Sequence, residues 1–182
     1  IKILTDVHTN SDIDRATDIV DIIQIPAFLC RQTDLISHAA RNAKFLNIKK
    51  GQFMSPHAMQ FAGQKVKDSG NNSVLLTERG SQFGYHELVV DFKGIPTMQS
   101  FAPVVMDVTH SLQQPNQNSG VTGGQPQLIE TIAKAAIATG VDGLFLETHP
   151  HPKLAKSDGA NMLPLNQLEN LSKKLVRIKQ VL

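Results

Sequence analysis

Short apolar runs alternate along this chain with longer amphipathic segments. Six runs are apolar enough to be buried strands, and each is followed within two residues by a charged or amide side chain: 1–4, 22–23, 45–48, 74–76, 104–106 and 143–146. Parallel strands that are covered on both faces have this continuously apolar character. The pattern therefore predicts a buried parallel sheet with its chemistry at the strand ends.

The segments between these runs carry apolar residues at helical spacing and begin or end with helix-capping residues. We expect helices that open at Asn10 or Ser11, at Thr33, at Ser55-Pro56 with an end at Gly70, over 128–138, and over 165–182. A helix must follow each strand where neighbouring strands are parallel. The alternation therefore predicts an α/β fold.

Two α/β architectures compete for this pattern. A doubly wound open sheet usually carries a glycine-rich dinucleotide turn, which this sequence lacks. A TIM (β/α)8 barrel places functional side chains at its strand ends, as the runs do here, and has eight strands in ~250 residues. We therefore expect residues 1–182 to form a single barrel domain that covers strands three to eight, with the N-terminal part absent.

Composition and charge exclude several classes of function. The chain has 182 residues, of which 41% are hydrophobic and 19% charged, which is typical of a soluble globular domain. A net charge of +2 gives too weak a field to argue for a nucleic-acid or membrane partner. The single cysteine, Cys30, excludes an internal disulfide and fits the reducing cytoplasm.

Cationic side chains follow two adjacent predicted strands. Lys49, Lys50 and Arg79 would converge on one mouth of a barrel, where a buried cation requires an anion such as phosphate or carboxylate. The alternatives are that Arg79 forms a structural pair with Glu78 or another acid of the barrel, and that Lys50 faces outward because it lies on the alternate face of its strand.

A second set of residues could hold a metal ion. His110, Glu147 and Asp158 follow the last two apolar runs, and one imidazole with two carboxylates suits a divalent transition metal. Spacing alone does not separate this set from other histidines in the sequence, which are His8, His149 and His151.

Longer motifs carry a resemblance to a known family. The strings are LTDVH (4–8), QIPAFLCRQTDL (24–35), NIKKGQF (47–53), ERGSQFGY (78–85), DVTHSLQ (107–113) and FLETHP (145–150). In order and content they closely resemble the 3-deoxy-D-manno-octulosonate 8-phosphate synthases, and the resemblance covers essentially the whole chain. The family's first two strands do not appear in it.

The resemblance implies a reaction between phosphoenolpyruvate and D-arabinose 5-phosphate that releases phosphate, on the route to lipopolysaccharide. It implies that Lys49 and Arg79 hold phosphoenolpyruvate, with Gln24 and the backbone of Ala27 nearby. It further implies a homotetramer in which Arg31 reaches a neighbouring subunit's site to hold the sugar phosphate. Asp6 would lie near the sugar. The alternatives are a helix-capping surface arginine at position 31 and a structural carboxylate at position 6.

The same family has metal-dependent and metal-independent members. A cysteine or asparagine on the first strand distinguishes them, and that strand does not appear in this sequence. Ser157 stands where metal-independent members tend to carry a cysteine, and 113–116 lacks their Arg-Asp-Pro run. The resemblance therefore favours metal dependence, with His110, Glu147 and Asp158 as ligands of zinc, iron(II) or manganese.

Two other functions stay open at this point. A 3-deoxy-D-arabino-heptulosonate 7-phosphate synthase would use the same phosphoenolpyruvate half-site with erythrose 4-phosphate as acceptor. A non-catalytic phosphate-binding barrel would keep the anion site without turnover.

Overall fold

A computed structural model of the chain describes residues 1–82, 86–115, 117, 120 and 122–182. Residues 83–85 of the ERGSQFGY motif and Asn116 of the 113–116 run therefore lie outside the described residues. The chain divides into two compact units, Ile1–Glu78 with Lys93–Val104, and Arg79–Phe92 with Val105–Leu182.

The first unit alternates parallel strands with helices. Its elements, in chain order, are β1 (Leu4–Asp6), α1 (Asn10–Ala16), β2 (Ile22–Ile25), α2 (Thr33–Asn42), β3 (Phe45–Lys49), α3 (Met59–Asp68), β4 (Val74–Glu78) and α4 (Gly94–Gln99). A 3-10 turn, Ala27–Leu29, follows β2. Strands β1 to β4 pair in parallel and in chain order. The predicted α/β alternation is confirmed here.

The core of this unit lies between the strands and one apolar face of each helix. Ile23, Leu46 and Leu76 of the strands are buried. In α2 the buried residues are Leu35, Ile36, Ala39 and Ala40, and in α3 they are Met59, Ala62, Gly63 and Val66. Spacings of three and four residues place such side chains on one helix face.

Helix starts agree with the sequence where a cap is present. The Thr9 side chain accepts a hydrogen bond from the backbone N–H of Asp12, and the Asp12 side chain accepts one from the backbone N–H of Thr9. Helix α1 therefore begins with a capping box. The predicted start of α3 at Ser55-Pro56 is wrong, because the backbone there first makes i to i+3 bonds, as from Met59 N to Pro56 O at 3.2 Å. The sequence patterns did not predict α4.

The second unit contains the two remaining predicted strands. Its elements are β5 (Val104–Asp107, which starts at the unit boundary), β6 (Gln113–Gln114), β7 (Gly123–Gly124), α5 (Ile129–Thr139), β8 (Gly143–Phe145), β9 (Thr148–His149), β10 (Leu163–Pro164) and α6 (Leu165–Gln180). Strands β5 and β8 are parallel. The pair β9 and β10 is also parallel, whereas β6 and β7 are antiparallel.

Helices α5 and α6 close this unit. They bury Ile129, Ala133 and Ala136 on α5, and Leu171 and Leu175 on α6. Helix α5 ends at Gly140, whose φ of +86° is a left-handed conformation that glycine adopts without steric cost. Neither these nor any other helix in the described part of the chain has both the length and the apolar character that a membrane crossing requires.

Candidate active site

The carboxyl ends of the first unit's strands carry several of the predicted site residues. Lys49 is the last residue of β3 and is only 7% exposed. Ala27 lies in the 3-10 turn after β2 and is buried, and Arg31 follows that turn with its side chain in solvent. Gln24 lies inside β2 and is buried, while Asp6 ends β1 and is exposed.

Four side chains form a continuous hydrogen-bonded row across β1 to β4, which we call the polar row: Asp6, Gln24, Asn47 and Thr77. Gln24 Nε2 donates to Asp6 Oδ1 at 2.6 Å. Asn47 Nδ2 donates to Gln24 Oε1 at 2.7 Å, and Thr77 Oγ1 donates to Asn47 Oδ1 at 2.7 Å. The structure thus brings together Asp6 and Gln24, the two members of the row that the sequence analysis had named.

Asn47 and Thr77 were missed by sequence reasoning. Asn47 interrupts the apolar run 45–48, and Thr77 directly follows the run 74–76, before Glu78. Parallel strands buried on both faces are normally apolar throughout, so a polar interruption in such a run was the available signal.

The alternative in which Lys50 faces outward is wrong. Lys50 is fully buried, and its Nζ lies 3.4 Å from Oε1 of Glu78, which is also buried. The same ammonium contacts the backbone oxygens of Gly51 at 3.4 Å and Met54 at 3.3 Å. Side chains alternate along a strand, so Lys49 and Lys50 point to opposite faces. The far face is simply covered by protein, and Glu78 neutralises the buried cation there.

In the second unit, the three predicted metal ligands come together. One ligand atom from each of His110, Glu147 and Asp158 lies within 4.8 Å of the others. His110 begins the 3-10 turn after β5, Glu147 follows β8, and Asp158 lies in the loop between β9 and β10. His110 Nε2 is 3.4 Å from Glu147 Oε1. These three residues could hold a metal ion.

Asp107 orients the imidazole of His110. Its Oδ2 lies 2.8 Å from His110 Nδ1, and its Oδ1 accepts the backbone N–H groups of Thr109 at 3.1 Å and His110 at 2.8 Å. Because a carboxylate only accepts, the shorter contact with Asp107 places an imidazole proton on Nδ1, which makes Nε2, the nitrogen nearer Glu147, the one that could bind a metal ion. A carboxylate behind a histidine is the usual support of a metal ligand.

Asp107 belongs to the DVTHSLQ motif, but the sequence interpretation gave it no role. The i, i+3 spacing of an acid and a histidine directly after a buried strand was the signal that could have identified it. Thr109 has a supporting part as well, because its Oγ1 accepts the backbone N–H of Glu147 at 2.9 Å. The contact of Asp107 with His110 and that of Thr109 with Glu147 each connect a candidate metal ligand to the carboxyl end of β5 or to the residues that follow it.

Gln113 connects the proposed metal ligand Asp158 to the predicted anion-binding residue Arg79. Its Nε2 donates to Asp158 Oδ1 at 2.7 Å, and its Oε1 accepts from Arg79 Nη2. Arg79 is only 5% exposed. Sequence reasoning missed this role of Gln113, because the carboxamide joins residues that lie far from it along the chain.

The backbone of the Asp158 loop restricts which residue types can occupy positions 158 and 159. Asp158 has a φ of +50°, in the left-handed region that aspartate tolerates better than most residues. A Cβ on the next residue, Gly159, would lie 2.3 Å from the carbonyl oxygen of Pro152, so a side chain there would displace the loop. This geometry directs the Asp158 carboxylate toward His110 and Glu147.

The donor set suits the metals that the family resemblance implies. One imidazole nitrogen and two carboxylate oxygens, with the imidazole held from behind by Asp107, are ligands that suit zinc, iron(II) or manganese. The residues present therefore fit a divalent transition metal.

Comparison with known proteins gives a consistent assignment over the whole chain. The chain is 52% identical over 183 residues to the 2-dehydro-3-deoxyphosphooctonate aldolase of Koribacter versatilis, an alignment that covers 99% of the chain and 66% of that protein. Proteins of the same name from Desulfotalea psychrophila and Brucella ovis are each 49% identical over 180 residues, covering 98% of the chain and 64% and 65% of the relatives.

The chain thus spans just under two thirds of the length of these curated relatives. A family model described as the DAHP synthetase I family matches residues 1–182. The match extends over both units, and it agrees with the parallel α/β elements and with the strand-end chemistry described above. The chain belongs to the DAHP synthetase I family.

Proposed function

We propose that this protein condenses phosphoenolpyruvate with D-arabinose 5-phosphate and water, giving 3-deoxy-D-manno-octulosonate 8-phosphate and inorganic phosphate for lipopolysaccharide synthesis. The observation that carries the proposal is a near-complete alignment at 49% to 52% identity with relatives named 2-dehydro-3-deoxyphosphooctonate aldolase. The burial of Lys49 and of Arg79, each at or next to a strand end, supports it further.

The chemistry forms one carbon–carbon bond and one carbon–oxygen bond, the latter to water, and breaks the carbon–oxygen bond to phosphate. The alkene carbon of phosphoenolpyruvate attacks the sugar aldehyde, and water adds at the neighbouring carbon. The resulting hemiketal phosphate then loses phosphate by carbon–oxygen cleavage. No covalent enzyme intermediate is required, so the protein acts by holding two anionic substrates together in the reacting orientation.

Lys49 and Arg79 bind the phosphate and carboxylate of phosphoenolpyruvate in this proposal. Both side chains are cationic and nearly buried at or next to a strand end, and arginine offers a planar fork for oxyanions, which supports these roles. Gln24 and the backbone of Ala27 lie beside this substrate, and Asp6 orients the sugar.

The proposal includes self-association. In a homotetramer, Arg31 reaches into the active site of a neighbouring subunit and holds the sugar phosphate that is bound there. Its exposure, next to a turn that carries the proposed site residue Ala27, supports this role.

His110, Glu147 and Asp158 hold a divalent zinc, iron(II) or manganese ion. When bound, such an ion supplies a Lewis acid for the aldehyde or the attacking water. Asp107 keeps Nε2 of His110 directed at the ion, and Gln113 holds one oxygen of Asp158 in place. Ser157, rather than a cysteine, precedes Asp158, which supports the metal-dependent branch.

We also propose that residues 1–182 belong to one (β/α)8 barrel domain of a cytoplasmic enzyme. Parallel strands that alternate with helices in each unit support the barrel. A single buried thiol, Cys30, supports a reducing compartment.

The test is consumption of phosphoenolpyruvate by the purified protein with and without D-arabinose 5-phosphate. We expect consumption and phosphate release only with the sugar phosphate. Lys49→Met and Arg79→Ala should each lower kcat/KM by about 100-fold or more, with unchanged circular dichroism and Tm. Lys173→Met and Arg177→Ala are matched controls on the exposed side of α6 and should retain activity.

The same assay separates the alternatives. Because the matching family is described as DAHP synthetase I, D-erythrose 4-phosphate is the second acceptor to assay. Preferential turnover with it would favour a heptulosonate synthase. Binding of phosphoenolpyruvate without turnover of either sugar phosphate would favour a non-catalytic anion-binding barrel. Unchanged turnover in both Lys49→Met and Arg79→Ala would overturn the proposed half-site.

A further inference from the structure

The polar row occupies neighbouring register positions in the first unit's sheet. Asp6 pairs with Gln24, and Gln24 pairs with Asn47, so these three side chains lie side by side. Thr77 pairs with Lys49, one alternate position nearer the carboxyl end. Gln24, Asn47 and Thr77 are buried and Asp6 is exposed, so the row leads from the interior to a strand end in contact with solvent.

The chemistry of the two ends determines every donor and acceptor in the row. The Asp6 carboxylate only accepts, so Gln24 must direct its NH2 group at Asp6 and its oxygen at Asn47. Asn47 then directs its NH2 group at Gln24 and its oxygen at Thr77, whose single hydroxyl hydrogen completes the row. Neither carboxamide can turn over without leaving two buried groups unsatisfied.

Stability alone does not call for polar side chains at these positions. Adjacent positions on the same strands are apolar and buried, as at Ile23, Leu46 and Ile48. Replacing both partners of a buried hydrogen bond by apolar groups of similar shape can be nearly neutral. What the row adds is a fixed orientation of Gln24 and Asp6, on the strand face that also carries Lys49, two residues beyond Asn47.

We infer that Asn47 and Thr77 are positioning residues that act through Gln24 on the Asp6 carboxylate. The inference rests on the proposed function, in which Gln24 lies beside phosphoenolpyruvate and Asp6 orients the sugar. Thr77 fixes the Asn47 carboxamide, Asn47 fixes Gln24, and Gln24 holds Oδ1 of Asp6. The row therefore sets the orientation of the whole Asp6 carboxylate, including its second oxygen.

The kinetic test compares two substitutions of Thr77. Thr77→Val has nearly the same shape but no hydroxyl, and it should raise the KM for D-arabinose 5-phosphate about tenfold while the KM for phosphoenolpyruvate changes by less than about twofold. Thr77→Ser retains the hydroxyl and should restore the KM for the sugar phosphate. A lowered Tm in Thr77→Val with unchanged kcat and KM values would show a purely structural role and overturn the inference.

A second variant keeps the test valid if Thr77→Val does not fold. Asn47→Asp has the size of asparagine but cannot donate to Gln24 Oε1, so it should raise the same KM. Unchanged kinetics in Asn47→Asp would contradict the row's polarity.

A spectroscopic measurement tests the row without relying on turnover. The side-chain NH2 resonances of Gln24 and Asn47 in a ¹⁵N–¹H correlation spectrum should both move in Thr77→Val. Those of Gln64, which bonds Asp68 on the exposed face of α3, should not move. Unmoved Gln24 resonances in Thr77→Val would refute the row. If the unmodified protein does not condense the two substrates, the proposed function fails, and these resonances decide the row by themselves.

Discussion

The carboxylate of Asp107 lies 2.8 Å from Nδ1 of His110, on the side of the ring away from Glu147. Asp107 is fully buried at the end of β5, and two backbone N–H groups hold its other oxygen. The contact fixes both the tautomer and the direction of the imidazole. It makes His110 a prepared metal ligand rather than a solvent-facing histidine.

Asp107→Asn should lower metal affinity. The asparagine oxygen can still accept the backbone N–H groups, and its NH2 group would then donate to Nδ1 of His110. The ring proton would move to Nε2 and block the metal-facing lone pair. We expect a loss of affinity of about 10-fold to 100-fold, measured by competition with a zinc chelator. Glu169→Gln, on the exposed side of α6, is the control, and equal affinities in the two variants would contradict the assigned role.

Removal of the metal should abolish activity reversibly. Treatment of the protein with a chelator should leave no bound metal in elemental analysis and no turnover, and zinc, iron(II) or manganese should restore turnover. His110→Ala should fail to rebind the metal, whereas His38→Ala, which removes a partly exposed histidine paired with Asp14, should rebind it. Full activity in metal-free protein would instead assign this chain to the metal-independent branch.

The buried pair of Lys50 and Glu78 should be strongly coupled. Glu78→Gln or Lys50→Met alone leaves one buried charge uncompensated, and each should lower the free energy of unfolding by about 3–5 kcal/mol. The double variant Lys50→Met/Glu78→Gln should lose clearly less than the sum of the single variants. Urea unfolding measures these values.

An exposed ion pair is the control for that experiment. Lys173 and Glu169 pair on α6 with both side chains largely in solvent, and Lys173→Met should change the free energy of unfolding by about 1 kcal/mol or less. Additive effects of the Lys50 and Glu78 substitutions would show that the two side chains do not interact.

Cys30 should be an unreactive thiol in the native protein. The residue is buried, and burial raises the pKa of its thiol, so little of the reactive thiolate is present at neutral pH. Alkylation by iodoacetamide should be slow in buffer and fast in denaturant, as mass spectrometry would record. Rapid labelling of the native protein would show that the Cys30 side chain is accessible.

Glu130 should contribute to stability in a pH-dependent way. Hydrogen bonds from Lys174 and then Lys134 lower the pKa of the Glu130 carboxyl below its ordinary value of 4.5. A carboxyl whose pKa is lowered in the folded state stabilises it above the ordinary pKa, and this contribution is lost as the pH falls through the lowered value. The Tm of Glu130→Gln should therefore lie slightly below that of the unmodified protein at pH 7.

This difference in Tm should shrink as the pH is taken below 4.5, and high salt should reduce it as well, since the pair is exposed. A difference that stays constant across this pH range would assign the effect of Glu130→Gln to lost packing instead of charge.

The strand and helix pattern was largely predictable because its causes are local. Five of the six apolar runs lie mostly within strands, whereas the first, 1–4, overlaps β1 only at Leu4. The start of α1 at Asn10 follows from the capping box at Thr9, and Gly70, with a φ of +92°, follows the end of α3. Helix α2 begins at Thr33 as predicted, but without a side-chain cap. The start of α3 was misplaced because serine and proline also open a tighter turn. Helix α4 was missed because six residues with Pro96 at the third position carry little periodicity.

The site was predictable in its residue types but less so in its partners. His110, Glu147 and Asp158 were chosen through the family resemblance, since their spacing did not separate them from other histidines and acids, and they do come together. Their supports, Asp107 and Gln113, were not identified. Gln113 and Asp158 are 45 positions apart, so no local pattern joins them.

The sequence by itself determined the parallel α/β alternation and the kind of chemistry at each strand end, because periodicity and residue type act over a few neighbouring positions. Only the tertiary structure decided which groups meet. Thr77 and Asn47 lie 30 positions apart and bond through strand register. Lys50 is buried against Glu78 because the face of β3 away from Lys49 is covered by protein. Register and coverage depend on how distant segments pack, and for that reason the side-chain partners could not be predicted from the pattern alone.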